Sequence, residues 1–109
     1  MKSNSQLLAL LALFAKGLRQ LAGENIEKII LIGSHARGEQ REDSDVDVVV
    51  LLKSSSEELR DRIYDYLVDF MLEHDVDISL KLIDQTTYQE WKEQSEPFTR
   101  SVEAEGIEV

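Results

Sequence analysis

Two short stretches carry the residue types that chemistry uses. Ile32-Gly33-Ser34-His35-Ala36-Arg37-Gly38 leaves one apolar run, ten residues separate Ser34 from Asp45, and Asp45-Val46-Asp47 opens a second apolar run. Glycine followed by a hydroxyl residue at a turn offers backbone N–H groups and an O–H to an anion. The missing side chain lets a phosphate approach the backbone. Asp45 and Asp47, two apart on a strand, point to one face with Cα atoms roughly 6.6 Å apart. Both carboxylates then reach one magnesium cluster. A phosphate cradle beside paired carboxylates is the equipment of metal-dependent phosphoryl or nucleotidyl transfer.

Each part alone has a plainer reading. Gly33-Ser34 is also what an ordinary strand-to-helix turn looks like, with Ser34 as N-cap. Asp45 and Asp47 also suit a strand entrance. Asp47, however, interrupts an apolar stretch, where an unpaired carboxylate is costly and a nearby cation removes the difficulty. The turn and the acidic pair together favour the functional reading. Asp77 interrupts a later apolar run and is preferred to Asp75, because Val76 and Ile78 flank it. Arg37, close to the turn, is placed to contact phosphate. His35 and His74 have no partner at zinc-ligand spacing. Tyr88, Trp91 and Phe98 read as core or partner contacts before adenine-stacking groups.

The elements that must hold these residues alternate along the chain. Leu7, Leu11, Ala15, Leu18 and Ala22 recur at helical spacing, which predicts a helix from about Ser5 to Ala22, laid across a sheet. The apolar run Leu7–Ala15 is too short to span a bilayer, and the helical pattern continues past Lys16 and Arg19, which opposes a secretion signal. Strands are expected over Ile26–Ile32, Asp45–Leu52 and Val76–Ile83. A short helix is expected from Ser34, and a polar loop over Gln40–Ser44. Ser54-Ser55-Ser56-Glu57-Glu58 starts a helix whose stripe is Leu59, Ile63, Leu67 and Phe70. Asp84 or Thr86 should cap a further helix, and Pro97 should begin the last one, ending before Gly106. Strand–helix–strand order makes the chain α/β or α+β: a small mixed sheet of about three to four strands flanked by helices, in one domain over 1–109.

With these residues in place, the chain resembles the polymerase-beta-like nucleotidyltransferases, and more narrowly the minimal nucleotidyltransferases paired with HEPN-domain toxins. Gly33, Ser34, Asp45 and Asp47 match the superfamily pattern. Gly33 to Gly38 match its Gly-Ser-x-Ala-Arg-Gly form, and Asp77 stands where a third aspartate is expected. The resemblance covers roughly residues 23 to 109. It implies catalytic and metal-binding roles for Asp45, Asp47 and Asp77, with two magnesium ions. It implies an ATP-binding turn of Gly33 and Ser34, with Arg37, and transfer of AMP to a tyrosine hydroxyl of a HEPN-type toxin. The chain would then be an antitoxin. A binding-only antitoxin that masks the toxin, or an aminoglycoside-type nucleotidyltransferase acting on a small molecule, are the alternatives. The second is disfavoured because 109 residues leave little chain for an acceptor pocket.

Composition narrows the partners. The net charge is −10, from 22 acidic and 12 basic residues. Nucleic-acid binding needs clustered Lys and Arg, so a basic protein partner suits this chain and DNA or RNA does not. Apolar surface on the first or last helices is where such a partner is expected, and a homo- or hetero-oligomer is possible. Cysteine is absent, which permits a reducing compartment, with the cytoplasm as the default.

Overall fold

A computed structural model describes residues 4–33, 36 and 45–109. Helix α1 (Asn4–Ala22) buries Leu7, Leu11, Phe14, Ala15, Leu18 and Ala22, one face of a 3.6-residue period. Gly23, at φ 58°, opens a single 3-10 turn into strand β1 (Ile26–Ile32). Strand β2 (Val46–Leu52) follows, then helix α2 (Glu57–His74). The side chain of Ser56 caps α2 by accepting from the Leu59 N–H at 3.1 Å, and Glu57 and Glu58 meet the positive end of the helix dipole. Left-handed Asp75 ends it. Strand β3 (Ile78–Asp84), helix α3 (Gln85–Glu93), helix α4 (Pro97–Glu105) and a short strand β4 (Ile107–Glu108) complete the order.

The sheet runs β3-β2-β1-β4. β1 is antiparallel to β2 and β4, and β2 is parallel to β3. A parallel pair needs a crossover, and α2 supplies it. Strand alternation divides the apolar residues between two faces. On one, Ile29, Leu31, Val48 and Val50 pack with Phe14 and Leu18 of α1 and with Ile63, Leu67 and Phe70 of α2. On the other, Ile30, Val49, Leu51 and Ile83 pack with Tyr88 of α3 and Val102 of α4. The result is a mixed four-stranded sheet between two helical layers, as the strand–helix pattern indicated.

The sequence placed two boundaries wrongly. β3 begins at Ile78, so Asp77 stands just before the strand and is exposed. Asp45 likewise precedes β2 by one residue. β4 was not anticipated: Ile107 pairs with Leu31, and Val109 N–H donates to the Ile29 carbonyl at 2.8 Å. A two-residue strand is too short to show periodicity and forms only because β1 offers an edge. The expected helix start at Ser34 and the loop over 40–44 lie outside the described residues.

Candidate functional site

The candidate residues come from three strand ends at one edge of the fold. Ile32 ends β1 and pairs with Asp47 of β2. Gly33 follows with φ 78°, a left-handed conformation that favours glycine. Its bare Cα faces the Asp47 side chain: a Cβ built there would lie 2.6 Å from Asp47 Oδ2 and 3.4 Å from its Cγ. The carboxylate therefore occupies space that any other residue at position 33 would claim.

Asp77 joins from β3. The Val46 N–H donates to the Asp77 carbonyl at 2.9 Å, and the parallel register pairs Val46 with Ile78 and Asp47 with Ser79. One step earlier the same register sets Asp45 beside Asp77. Partners across a parallel pair share a face, so Asp45, Asp47, Asp77 and Ser79 project from the same side of the sheet. That side is the one covered further along by α3 and α4. Asp47 is half-buried, while Asp45 and Asp77 are exposed. Ser79, half-buried and in register with Asp47, was passed over in the sequence. Its only signal was its spacing of two from Asp77.

Ser34 and Arg37, expected to contact phosphate, lie outside the described residues, as does His35. His74 is the last residue of α2, with its ring 4.2 Å from that of Phe70. Tyr88 is buried in the second core, and Trp91 meets Phe98 edge-on at 6.2 Å. Trp91 and Phe98 line a groove of about 480 Å³ that takes in none of Gly33, Asp45, Asp47 or Asp77.

The donor set suits magnesium in chemistry, being carboxylate oxygen only. It suits it in backbone placement too, with Asp45 and Asp47 alternating on one face and Asp77 beside them. Among the described residues, no three acidic or histidine side chains converge into a group that holds a metal. The missing side chain of Gly33 leaves the Asp47 carboxylate room to lie against the turn.

Residues 11–105 match the family model described as a nucleotidyltransferase domain. The chain belongs to that family. This is the polymerase-beta-like group that the Gly-Ser and Asp-x-Asp pattern resembles. A 40-residue segment, 37% of the chain, is 42% identical to "Putative protein adenylyltransferase MJ0141" of Methanocaldococcus jannaschii and spans 40% of that protein. The structure of "a putative nucleotidyltransferase from Sulfolobus solfataricus" superposes with a TM-score of 0.60 at 17% identity, over 96% of this chain and 80% of that one. A toxin–antitoxin structure with AMP-PNP gives 0.57 at 21% identity, over 87% and 68%. A toxin–antitoxin pair, MntA–HpeT, carrying two aspartate-to-glutamate changes two residues apart, gives 0.56 at 19%, over 86% and 68%. These likenesses establish the fold.

Proposed function

We propose that this nucleotidyltransferase domain moves AMP from ATP to a tyrosine hydroxyl of a HEPN-type toxin in the cytoplasm, and so acts as an antitoxin. The observation that carries the reading is the contact between Gly33 and Asp47, a glycine-floored turn against a carboxylate. Support comes from the protein adenylyltransferase likeness of the matched segment. Further support comes from structural neighbours crystallised with AMP-PNP, or altered at two aspartates with the spacing of Asp45 and Asp47.

In this reading the Gly33-Ser34 turn and Arg37 receive the triphosphate, because backbone N–H groups and a guanidinium match its charge. Asp45, Asp47 and Asp77 are the residues that would hold two magnesium ions, which neutralise phosphate charge when bound. Asp77, exposed beside Asp45, would also help take the proton of the attacking hydroxyl. The tyrosine oxygen bonds to the α-phosphorus, the bond from that phosphorus to the leaving oxygen breaks, and pyrophosphate departs. The protein's part is mainly positioning and charge. With 22 acidic residues, the chain should leave nucleic acid unbound at physiological salt.

A binding-only antitoxin is the second reading. It is favoured by one observation: the three aspartate side chains do not converge among the described residues. Titration of the protein with ATP, with and without magnesium, tests the proposal. Metal-dependent binding that weakens in Asp47→Asn supports transfer chemistry. Binding indifferent to both the ion and Asp47 opposes it.

A further inference from the structure

The outward face of α2 carries two stripes of different chemistry. Tyr64, Val68 and Leu72 recur every four residues and are 43%, 48% and 79% exposed. Among the described residues the other large exposed apolar side chains are Leu13 and Ile107, so this surface is centred on α2 and not on the first or last helices. Asp61, Asp65, Asp69 and Glu73 recur at the same spacing and are exposed. Residues four apart stack on one side of a helix, so an apolar stripe runs beside an acidic one.

The free chain gains little from either stripe. Three large side chains meet water, and like charges four apart on a helix repel. Among the described residues none of the four acids is in a salt bridge. Arg60 is held away from them, donating to Ser55 and Asp84 and to the Leu82 carbonyl. Arg62 is the one exposed arginine of the helix. Tyr64 also lines the groove that Trp91 and Phe98 line at edge strand β3, so the apolar surface extends beyond the helix.

We propose that this face docks a basic amphipathic helix of a partner protein. Its apolar side lies along Tyr64, Val68 and Leu72, and its Lys and Arg residues meet Asp61, Asp65, Asp69 and Glu73. A four-residue ridge is the surface that another helix packs against. Charge complementarity selects the occupant: a second copy would bring an equal acidic stripe and a net charge of −10 to the contact, whereas a basic helix relieves the repulsion. The face holds none of Gly33, Asp45, Asp47 or Asp77, so docking goes beyond the transfer reaction and is measured without ATP.

The test uses the full chain and a labelled helical peptide of about 20 residues, with leucines at four-residue spacing and lysines beside them, read by fluorescence anisotropy. A second peptide carries glutamate in place of every lysine. The lysine peptide should bind, and the glutamate peptide should not. Affinity should fall at least about tenfold in the Val68→Asp, Leu72→Asp variant. It should fall as far in the Asp61→Asn, Asp65→Asn, Asp69→Asn, Glu73→Gln variant, and stay unchanged when Glu24, Glu27, Glu105 and Glu108 are all replaced by Gln. All these positions are exposed except Glu27, which is half-buried and paired with Lys53, and circular dichroism checks that the variants fold. No binding, equal binding of both peptides, binding that survives the α2 substitutions, or equal weakening by the control substitutions would overturn the proposal. So would a dimer in sedimentation that Val68→Asp and Leu72→Asp dissolve, since a second copy would then own the face.

Discussion

The Asp47 carboxylate rests against the backbone of Gly33, with Oδ2 only 2.6 Å from where a Cβ on that glycine would stand. Gly33→Ala therefore acts twice. It forces a side chain onto a left-handed φ of 78°, which costs about 1–2 kcal/mol, and it displaces the carboxylate. Urea unfolding should show the modest loss, while MgATP affinity falls by about tenfold or more. A variant that loses stability and keeps full affinity would separate Gly33 from the site.

A second close approach is structural. Tyr66 donates from its hydroxyl to the Phe14 carbonyl at 2.8 Å, tying α2 to α1, and its ring lies over Gly17, where a Cβ would strike the hydroxyl. Alanine is worth up to about 1 kcal/mol over glycine inside a helix, but here overpacking should win and cost about 1–3 kcal/mol. Tyr66→Phe should cost about 1 kcal/mol through the lost hydrogen bond. In that background Gly17→Ala should be better tolerated, and a double-mutant cycle in urea measures the coupling.

Much of this frame was legible in the sequence. The stripe Leu59, Ile63, Leu67, Phe70 and the run Ile26–Ile32 carry strong periods, and the structure places both as read. The Gly-Ser and Asp-x-Asp spacing located two strand ends, the exit of β1 and the entrance of β2, before any pairing was known. Asp77 was read as a strand residue because Val76 and Ile78 flank it. Asp75 in fact closes α2 in the left-handed region, and the chain needs two more residues to enter β3. β4 and the pairing of Asp47 with Ser79 depend on register, which local patterns do not encode. The two stripes of α2 were present in the sequence, yet only burial shows that the apolar one is exposed among the described residues.

Alkaline stability should report on the second core. Burial, then the Glu103 charge and the hydrogen bond donated to it, push the Tyr88 phenol up to about 12. A raised folded-state value means that the contribution is complete below the unfolded value near 10 and is lost as pH rises toward about 12. Burial, then Glu73, also raise Tyr66, so it adds to the same window. Denaturant midpoints across that range should fall less steeply in Tyr88→Phe than in wild type. Parallel curves would contradict the assignment.

The opposite sign holds at Glu103, where the hydrogen bond and charge of Lys92, 3.1 Å away, hold the carboxyl below its ordinary value. Its contribution is present above about pH 4.5 and fades as pH falls through the lowered folded value. The side chain is exposed, so the effect should be small and salt-sensitive. Lys92→Met should flatten the acid limb of the stability curve and leave it unchanged at high salt.

Transfer itself is read most directly by mass. The chain is incubated with the HEPN-type toxin proposed as its partner, magnesium and ATP, and the intact mass of the toxin is recorded beside that from Asp47→Asn. An AMP-sized gain on the toxin with wild type, absent with Asp47→Asn while circular dichroism shows the variant folded, is the predicted result. A toxin neutralised without any gain in mass, or neutralised equally by Asp47→Asn, would contradict adenylyl transfer and leave binding alone as the function.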